Sequence, residues 1–319
     1  MRIGKVFFVG ALLLFGAVGS VALFKKEPRA KSQDLVQEVV EEISLTQPAP
    51  SAPLAEESPQ VAVISEIEEE VDRIPLLFAL DSTKLPIVET ISYTSRVPWL
   101  KGRPAWIADY ASHYSTSRHF IARSLNKKLD YLTQKISPGD RFNVFKLGVN
   151  LQFHMVIDLT RCRMWFYYVN LDTNERVLLK VYRVGLGRLD SKSPSKTLTP
   201  TGTYQLGERV AIYKPGVQGF FQNRKIEMVR VFGTRWIPFE KGQDVCGLGI
   251  HGAPWVPDPV TGNLVEDRSK IGKYDSDGCI RLLSEDVEEL FSIIITKNAT
   301  LEIVQDFRDA KLPGVEKNL

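Results

Sequence analysis

In Ser276-Asp277-Gly278-Cys279-Ile280-Arg281-Leu282 a cysteine follows a glycine between a polar turn and an apolar stretch. Glycine lets a ligand approach the backbone closely, and successive N–H groups of a tight turn can converge on an anionic oxygen. Directly behind it, Ser284 can N-cap a helix that carries Glu285 and Asp286 in its first turn and Val287, Leu290, Phe291 and Ile294 along one face. Upstream, Gly249-Ile250-His251-Gly252-Ala253-Pro254-Trp255 offers a histidine at a strand end, again followed by glycine. A thiol needs such a neighbour, because the thiolate is the reactive species and a free thiol is mostly protonated at neutral pH. One cysteine and one histidine do not make a site by themselves, so the surroundings must decide.

From Gln152 the chain has the texture of closely spaced strands: Phe153–Asp158, Met164–Val169, Val177–Val184 and Glu227–Phe232 are rich in β-branched and aromatic residues and broken by turn formers. The expectation is a mainly β catalytic region with a few helices. Before it, Trp106–Ala111 and Phe120–Asn126 have helical spacing, and Ser137-Pro138-Gly139-Asp140 turns into the alternating strand Arg141–Phe145. Further back, residues 32–72 carry eleven acidic side chains and no basic one, with Pro48, Pro50, Pro53 and Pro59 preventing a continuous helix. That composition describes an extended linker. Arg2 and Lys5 precede an uncharged stretch, Val6 to Phe24, closed by Lys25 and Lys26. Its length suits a membrane anchor, and Ala17-Val18-Gly19-Ser20 also permits a cleaved signal. Residues 73–319 hold 35 basic against 26 acidic groups. This mild positive charge suits an anionic polymer such as cell wall, while the lack of a Lys/Arg cluster interleaved with aromatics speaks against nucleic acid.

The two segments around Cys279 and His251 resemble the YkuD-type L,D-transpeptidase catalytic domain, whose signature is a His-Gly or His-Ser segment followed by Ser-x-Gly-Cys-Ile/Val-Arg. The resemblance extends to Val156-Ile157-Asp158-Leu159 with Met164-Trp165-Phe166-Tyr167, to Val184-Gly185-Leu186-Gly187, to the turn Thr199-Pro200-Thr201-Gly202-Thr203-Tyr204 and to Ile271-Gly272. It implies a β-sandwich catalytic domain over 150–306. It further implies a bacterial cell-envelope enzyme of wall biogenesis and cell shape, located in the periplasm and anchored to the inner membrane by residues 6–24, or secreted if the signal is cleaved. Cys279 would attack the carbonyl of the third stem-peptide residue and hold the stem as a thioester, and His251 would take the thiol proton, its ring oriented by a backbone carbonyl. Gly278 and Cys279 N–H groups, with Asp277 as a third, would form the oxyanion hole. Arg281 would fix the turn or bind a substrate carboxylate, Ser276 would hydrogen-bond near the histidine, and Gly252 would flank it. Partners would be peptidoglycan stem peptides and glycan, with carbapenem-type β-lactams as inhibitors and no cofactor.

Two departures stand out. Asp277 occupies a place where many members have histidine, and the loop 256–270 lengthens the interval between His251 and Cys279. The segment from Val97 to Lys146 resembles a LysM module, a small α+β glycan-binding unit, although Gly102-Arg103-Pro104 replaces its usual opening; the alternative is a spacer. The resulting organisation is 1–31 anchor or signal, 32–73 acidic Pro-rich linker, 74–149 LysM-like or spacer domain, 150–306 catalytic domain and 307–319 tail. Cys162 and Cys246 either bridge or are buried separately. His113, His119 and His154 are expected as surface or packing residues, and no His/Cys spacing suggests a metal. A crosslinking transpeptidase, a carboxypeptidase, hydrolase or wall-to-protein linking enzyme of the same fold, and a non-catalytic peptidoglycan-binding protein all remain open readings.

Overall fold

The computed structural model describes residues 71–126, 135–207, 210–240, 245 and 247–318. The expected span 6–24, most of the acidic linker and Cys246 lie outside these residues. Among the described residues no helix is long and apolar enough to cross a membrane.

The chain runs through a helical turn α1 (Pro75–Phe78), β1 (Val88–Ser92), α2 (Ile107–His113), α3 (Arg118–Asn126) and β2 (Arg141–Phe145) before entering the strands. β1 and β2 pair antiparallel from Val88↔Phe145 to Ser92↔Arg141. This β-α-α-β unit has a small core of its own in Tyr93, Tyr110, Ile121, Phe142 and Val144. Alternate residues of the same elements face elsewhere: Phe120 and Phe145, with Ile74, Leu77 and Leu85, join the core of the strands that follow. Ser117 Oγ donates to Ser292 O at 2.5 Å and Thr296 Oγ1 to Ser115 O at 2.9 Å, so the unit is also hydrogen-bonded to the later helix.

Next come β3 (Leu151–Asp158), β4 (Arg163–Asn170), β5 (Glu175–Arg183), β6 (Leu186–Gly187), β7 (Gly202–Gln205), β8 (Ala211–Ile212), β9 (Gln218–Phe221), β10 (Arg224–Glu227), α4 (Val229–Phe232) and β11 (Arg235–Pro238). The chain ends with β12 (Gly249–Gly252), β13 (Trp255–Pro257), β14 (Leu264–Glu266), β15 (Tyr274–Ser276), β16 (Ile280–Leu282), α5 (Ser284–Ile294), β17 (Ala299–Val304) and β18 (Val315–Glu316). A six-stranded sheet, β18-β5-β4-β3-β17-β7, and a four-stranded sheet, β16-β12-β11-β8, enclose the main core. The molecule is thus mainly β with a few helices.

The period of two that marked the long strands sorts their side chains. Phe153, Met155, Ile157, Met164, Phe166 and Tyr168 enter the main core, whereas Val156, Trp165 and Tyr167 face the other way. That second face is covered by Phe307, Ala310 and Leu312, with the Trp165 and Phe307 rings 4.4 Å apart. The segment set apart as a tail therefore packs on the sheet, and β18 extends it beside β5. At the linker's end, Asp72 bridges Lys180 of β5, and Arg73 N–H donates to Leu179 O at 2.6 Å.

Two local expectations are corrected. Glu227–Phe232 is not a strand: after Glu227 the chain forms the single turn α4, closed by Gly233 at φ 57°, which a β-branched composition does not reveal. Ser284 does not cap α5 but is its first residue, Leu283 holding the N-cap position with no side-chain cap, and the Ser284 N–H is satisfied by the Glu266 carboxylate of β14 at 2.5 Å. Of the two expectations for His154, surface or packing, the second holds: it is buried with Nε2 3.6 Å from Glu302, and burial lowers its pKa despite that neighbour.

Candidate active site

Strand register brings the two signature segments together. β12 and β16 run parallel with Ile250↔Ile280, His251↔Arg281 and Gly252↔Leu282 opposed. Ile250, Ile280 and Leu282 enter the core, so alternation puts His251 and Arg281 on the opposite face, with Cys279 next in line before β16. A neighbouring strand and a two-residue offset separate the Cys279 and His251 Cα atoms by roughly 8 Å, a diagonal that side chains span.

His251 Nδ1 lies 2.7 Å from Gly252 O. A carbonyl only accepts, so Nδ1 carries the hydrogen and Nε2 keeps its lone pair. Phe232 meets the ring edge-on at 5.4 Å and Trp236 lies at 5.8 Å. Burial depresses the imidazole pKa to about 4, against the Gly252 hydrogen bond, which raises it, and with help from the Arg281 charge. Gly252 has little room for a side chain, since a Cβ there would come within 3.0 Å of Thr234 N.

Cys279 occupies the turn between β15 and β16, its Sγ 3.8 Å from Gly247 O. Burial pushes the thiol pKa up; the Gly249 backbone and Arg281 pull it down, and Asp277 adds a smaller upward contribution. The resting pair is therefore neutral thiol and neutral imidazole.

Ser276 does not reach towards the histidine. Its Oγ donates to Cys279 O at 2.6 Å and accepts the Gly278 N–H at 3.1 Å, clasping the turn across Cys279. The Gly278 N–H is thereby occupied, which leaves it out of the expected oxyanion hole. Asp277 points outward into an ion pair with Arg188 at 2.6 Å. Arg281 Nη1 is 3.1 Å from Asp275 Oδ2, which Lys270 also holds at 3.0 Å, and the Arg281 backbone exchanges hydrogen bonds with Gly185.

The lengthened interval is the hairpin β13–β14, with Trp255↔Glu266 and Pro257↔Leu264 paired. Sequence reading did not find Arg188, nor the ring wall of Phe232 and Trp236. Thr199 was noticed only as part of a turn motif, yet its buried Oγ1 donates to Gly278 O at 3.0 Å and accepts the Gly187 N–H at 2.7 Å. His119 is buried against Phe291 at 5.2 Å, and His113 stacks on Trp99 at 4.2 Å. Among the described residues no group of three or more His, Cys, Asp or Glu side chains is placed to hold a metal.

Residues 152–303 match the family model of the L,D-transpeptidase catalytic domain, YkuD. The chain is 29% identical over 139 residues to YqjB of Bacillus subtilis (strain 168), whose name carries L,D-transpeptidase as a provisional assignment; the match covers 40% of this chain and 65% of that protein. Among solved structures, the helical cell shape determining protein Pgp2 from Campylobacter jejuni aligns with 16% identity and a TM-score of 0.34, over 52% of this chain and 50% of its own. Bd1075 from Bdellovibrio bacteriovorus aligns with 13% identity and a TM-score of 0.31, over 48% of each chain. The chain thus spans about two thirds of the curated relative and half of the solved chains. With the motif order, the two sheets and the family match in agreement, residues 152–303 are a YkuD-type L,D-transpeptidase catalytic domain.

Proposed function

We propose that the protein is a cysteine L,D-transpeptidase that crosslinks peptidoglycan stem peptides through a thioester at Cys279. The observation that carries this is the His251 tautomer: Nδ1–H is held by Gly252 O, leaving Nε2 on the Cys279 face to accept the thiol proton. In acylation the Cys279 sulfur bonds to the carbonyl carbon of the third stem residue, the proton passes to His251 Nε2, and the C–N bond to D-alanine breaks. The same proton then goes to the departing amine. An acceptor amine, deprotonated by the neutral imidazole, attacks the thioester and restores the thiol. The N–H of Cys279 faces the oxyanion in both steps.

Around this chemistry the reading places the catalytic domain in the periplasm, tethered by residues 6–24 through the acidic linker. The β-α-α-β order of 88–145 supports a LysM-like glycan reader, and strained β-lactam carbonyls of the carbapenem type would acylate the same thiol. The test is incubation of the full chain in detergent with disaccharide-tetrapeptide, with products read by mass spectrometry. Dimers joined between third residues are expected, and none with Cys279→Ala. Tripeptide alone would replace transfer by hydrolysis, and unchanged substrate with folded protein would favour a non-catalytic wall binder.

A further inference from the structure

The cysteine turn is held from beneath by a hydroxyl that neither touches the thiol nor lies on a signature strand. Thr199 is fully buried, and its Oγ1 makes two hydrogen bonds, accepting from Gly187 N–H at 2.7 Å and donating to Gly278 O at 3.0 Å. Its own N–H donates to Thr197 Oγ1 at 3.1 Å, and Thr197 Oγ1 donates back to Thr199 O at 2.9 Å. Ser195 Oγ in turn donates to Thr197 O at 2.9 Å. The loop 195–199 is thus a buried run of hydroxyls ending on the carbonyl of the residue before the nucleophile.

That carbonyl belongs to the peptide unit whose N–H is that of Cys279. A trans peptide is planar, with C=O and N–H pointing in opposite directions, and no cis bond occurs among the described residues. Fixing Gly278 O on Thr199 therefore fixes the direction of the Cys279 N–H, away from the buried hydroxyl. The Gly278 N–H is already taken by Ser276, and no acceptor among the described residues takes the Cys279 N–H. The plane can adopt this orientation only because Gly278 has φ 113° and lacks a Cβ, which would lie 2.8 Å from Leu198 O.

We propose that Thr199 is a positioning residue for the oxyanion site: it locks the Gly278–Cys279 peptide plane so that the Cys279 N–H is aimed in advance at the tetrahedral intermediate. The inference rests on Cys279 acting by acyl transfer as proposed above. It separates two reactions of one thiol. Attack on a carbonyl develops an oxyanion and needs the N–H; alkylation by iodoacetamide is a displacement at carbon, develops no oxyanion and does not need it.

The test compares full-chain wild type with Thr199→Val, which keeps the shape and removes the hydroxyl. The readouts are D-alanine release from disaccharide-tetrapeptide and the iodoacetamide rate at the Cys279 peptide. For Thr199→Val, kcat for release should fall about 10- to 100-fold, since loss of an oxyanion donor outright costs about 10²–10³-fold. KM and the alkylation rate should stay within about twofold of wild type, and Thr199→Ser should restore release. Should the valine variant fail to fold, Thr199→Ser against Thr199→Ala repeats the comparison, the two differing by the hydroxyl alone. Equal release from hydroxyl-bearing and hydroxyl-lacking variants would overturn the assignment, as would a parallel loss of release and alkylation. Absence of release from wild type whose Cys279 is readily alkylated would overturn the proposed function along with it.

Discussion

At the residue scale, burial sets the protonation of the dyad. The His251 imidazole is held neutral down to about pH 4, and the Cys279 thiol is pushed above its ordinary pKa, so in the proposed reaction proton transfer would accompany attack instead of preceding it. The kcat/KM for D-alanine release should stay level from pH 7 to about 5 and decline only as pH falls towards about 4. An acid limb centred between 6 and 7 would mean an imidazolium in the resting enzyme and contradict this. The same shift acts on folding. An unfolded histidine binds its proton near pH 6.5 and the native one near 4, so the unfolded state holds more protons in that window and stability falls as pH is lowered through it. Rates there need short exposures. Asp277 raises the thiol pKa as the least of the causes acting on Cys279, its carboxylate paired with Arg188. Asp277→Asn should move the pH midpoint of Cys279 alkylation down, while Arg188→Ala, which leaves the carboxylate bare, should move it up. Shifts of the same sign would contradict the pairing. Cys279 and His251 drew attention in the sequence because few side chains can serve as nucleophile and base, and β12 and β16 bring their two segments side by side. The clasp of Ser276 was not legible there, since a hydroxyl's direction depends on the φ 113° turn at Gly278.

At the scale of elements, the hairpin that lengthens the His251–Cys279 interval also ends a helix. Glu266 of β14 accepts the Ser284 N–H at the start of α5, where an anionic group also meets the positive end of the helix dipole. Glu266→Ala should lower unfolding stability in urea by about 1 kcal/mol, the usual cost of a lost cap, without changing D-alanine release; unchanged stability would mean that solvent satisfies this N–H equally well. Ser284 followed by Glu285 and Asp286 reads as a local cap, and a partner eighteen residues upstream leaves no trace in that spacing. The long strands were legible for the converse reason. β3 and β4 alternate between two buried faces over eight residues each, and such a period survives any tertiary context. The run 224–232 carries no period, and Gly233 ends it as a helical turn.

At the scale of the molecule, the β-α-α-β unit and the strands share a core: Phe120 and Phe145 lie in the same buried cluster as Phe153, Phe166 and Phe291. Sequence boundaries at 149 and 306 follow changes of texture and cannot show which side chains cross them, nor that Phe307 would cover Trp165. Deleting the unit would therefore open the main core, and the proposed glycan-binding role is better tested at Trp106, which is 68% exposed. Trp106→Ala should reduce co-sedimentation with purified peptidoglycan and leave D-alanine release from the soluble disaccharide-tetrapeptide intact; equal pelleting would make the unit a spacer. The central claim is that one thiol of this molecule becomes acylated, and the intact mass of the full chain after exposure to a carbapenem reads that directly. One adduct per chain is expected, located by peptide mapping on Cys279 and absent from Cys279→Ala, whereas an adduct on Cys162 or Cys246, or one that persists in Cys279→Ala, would contradict the account.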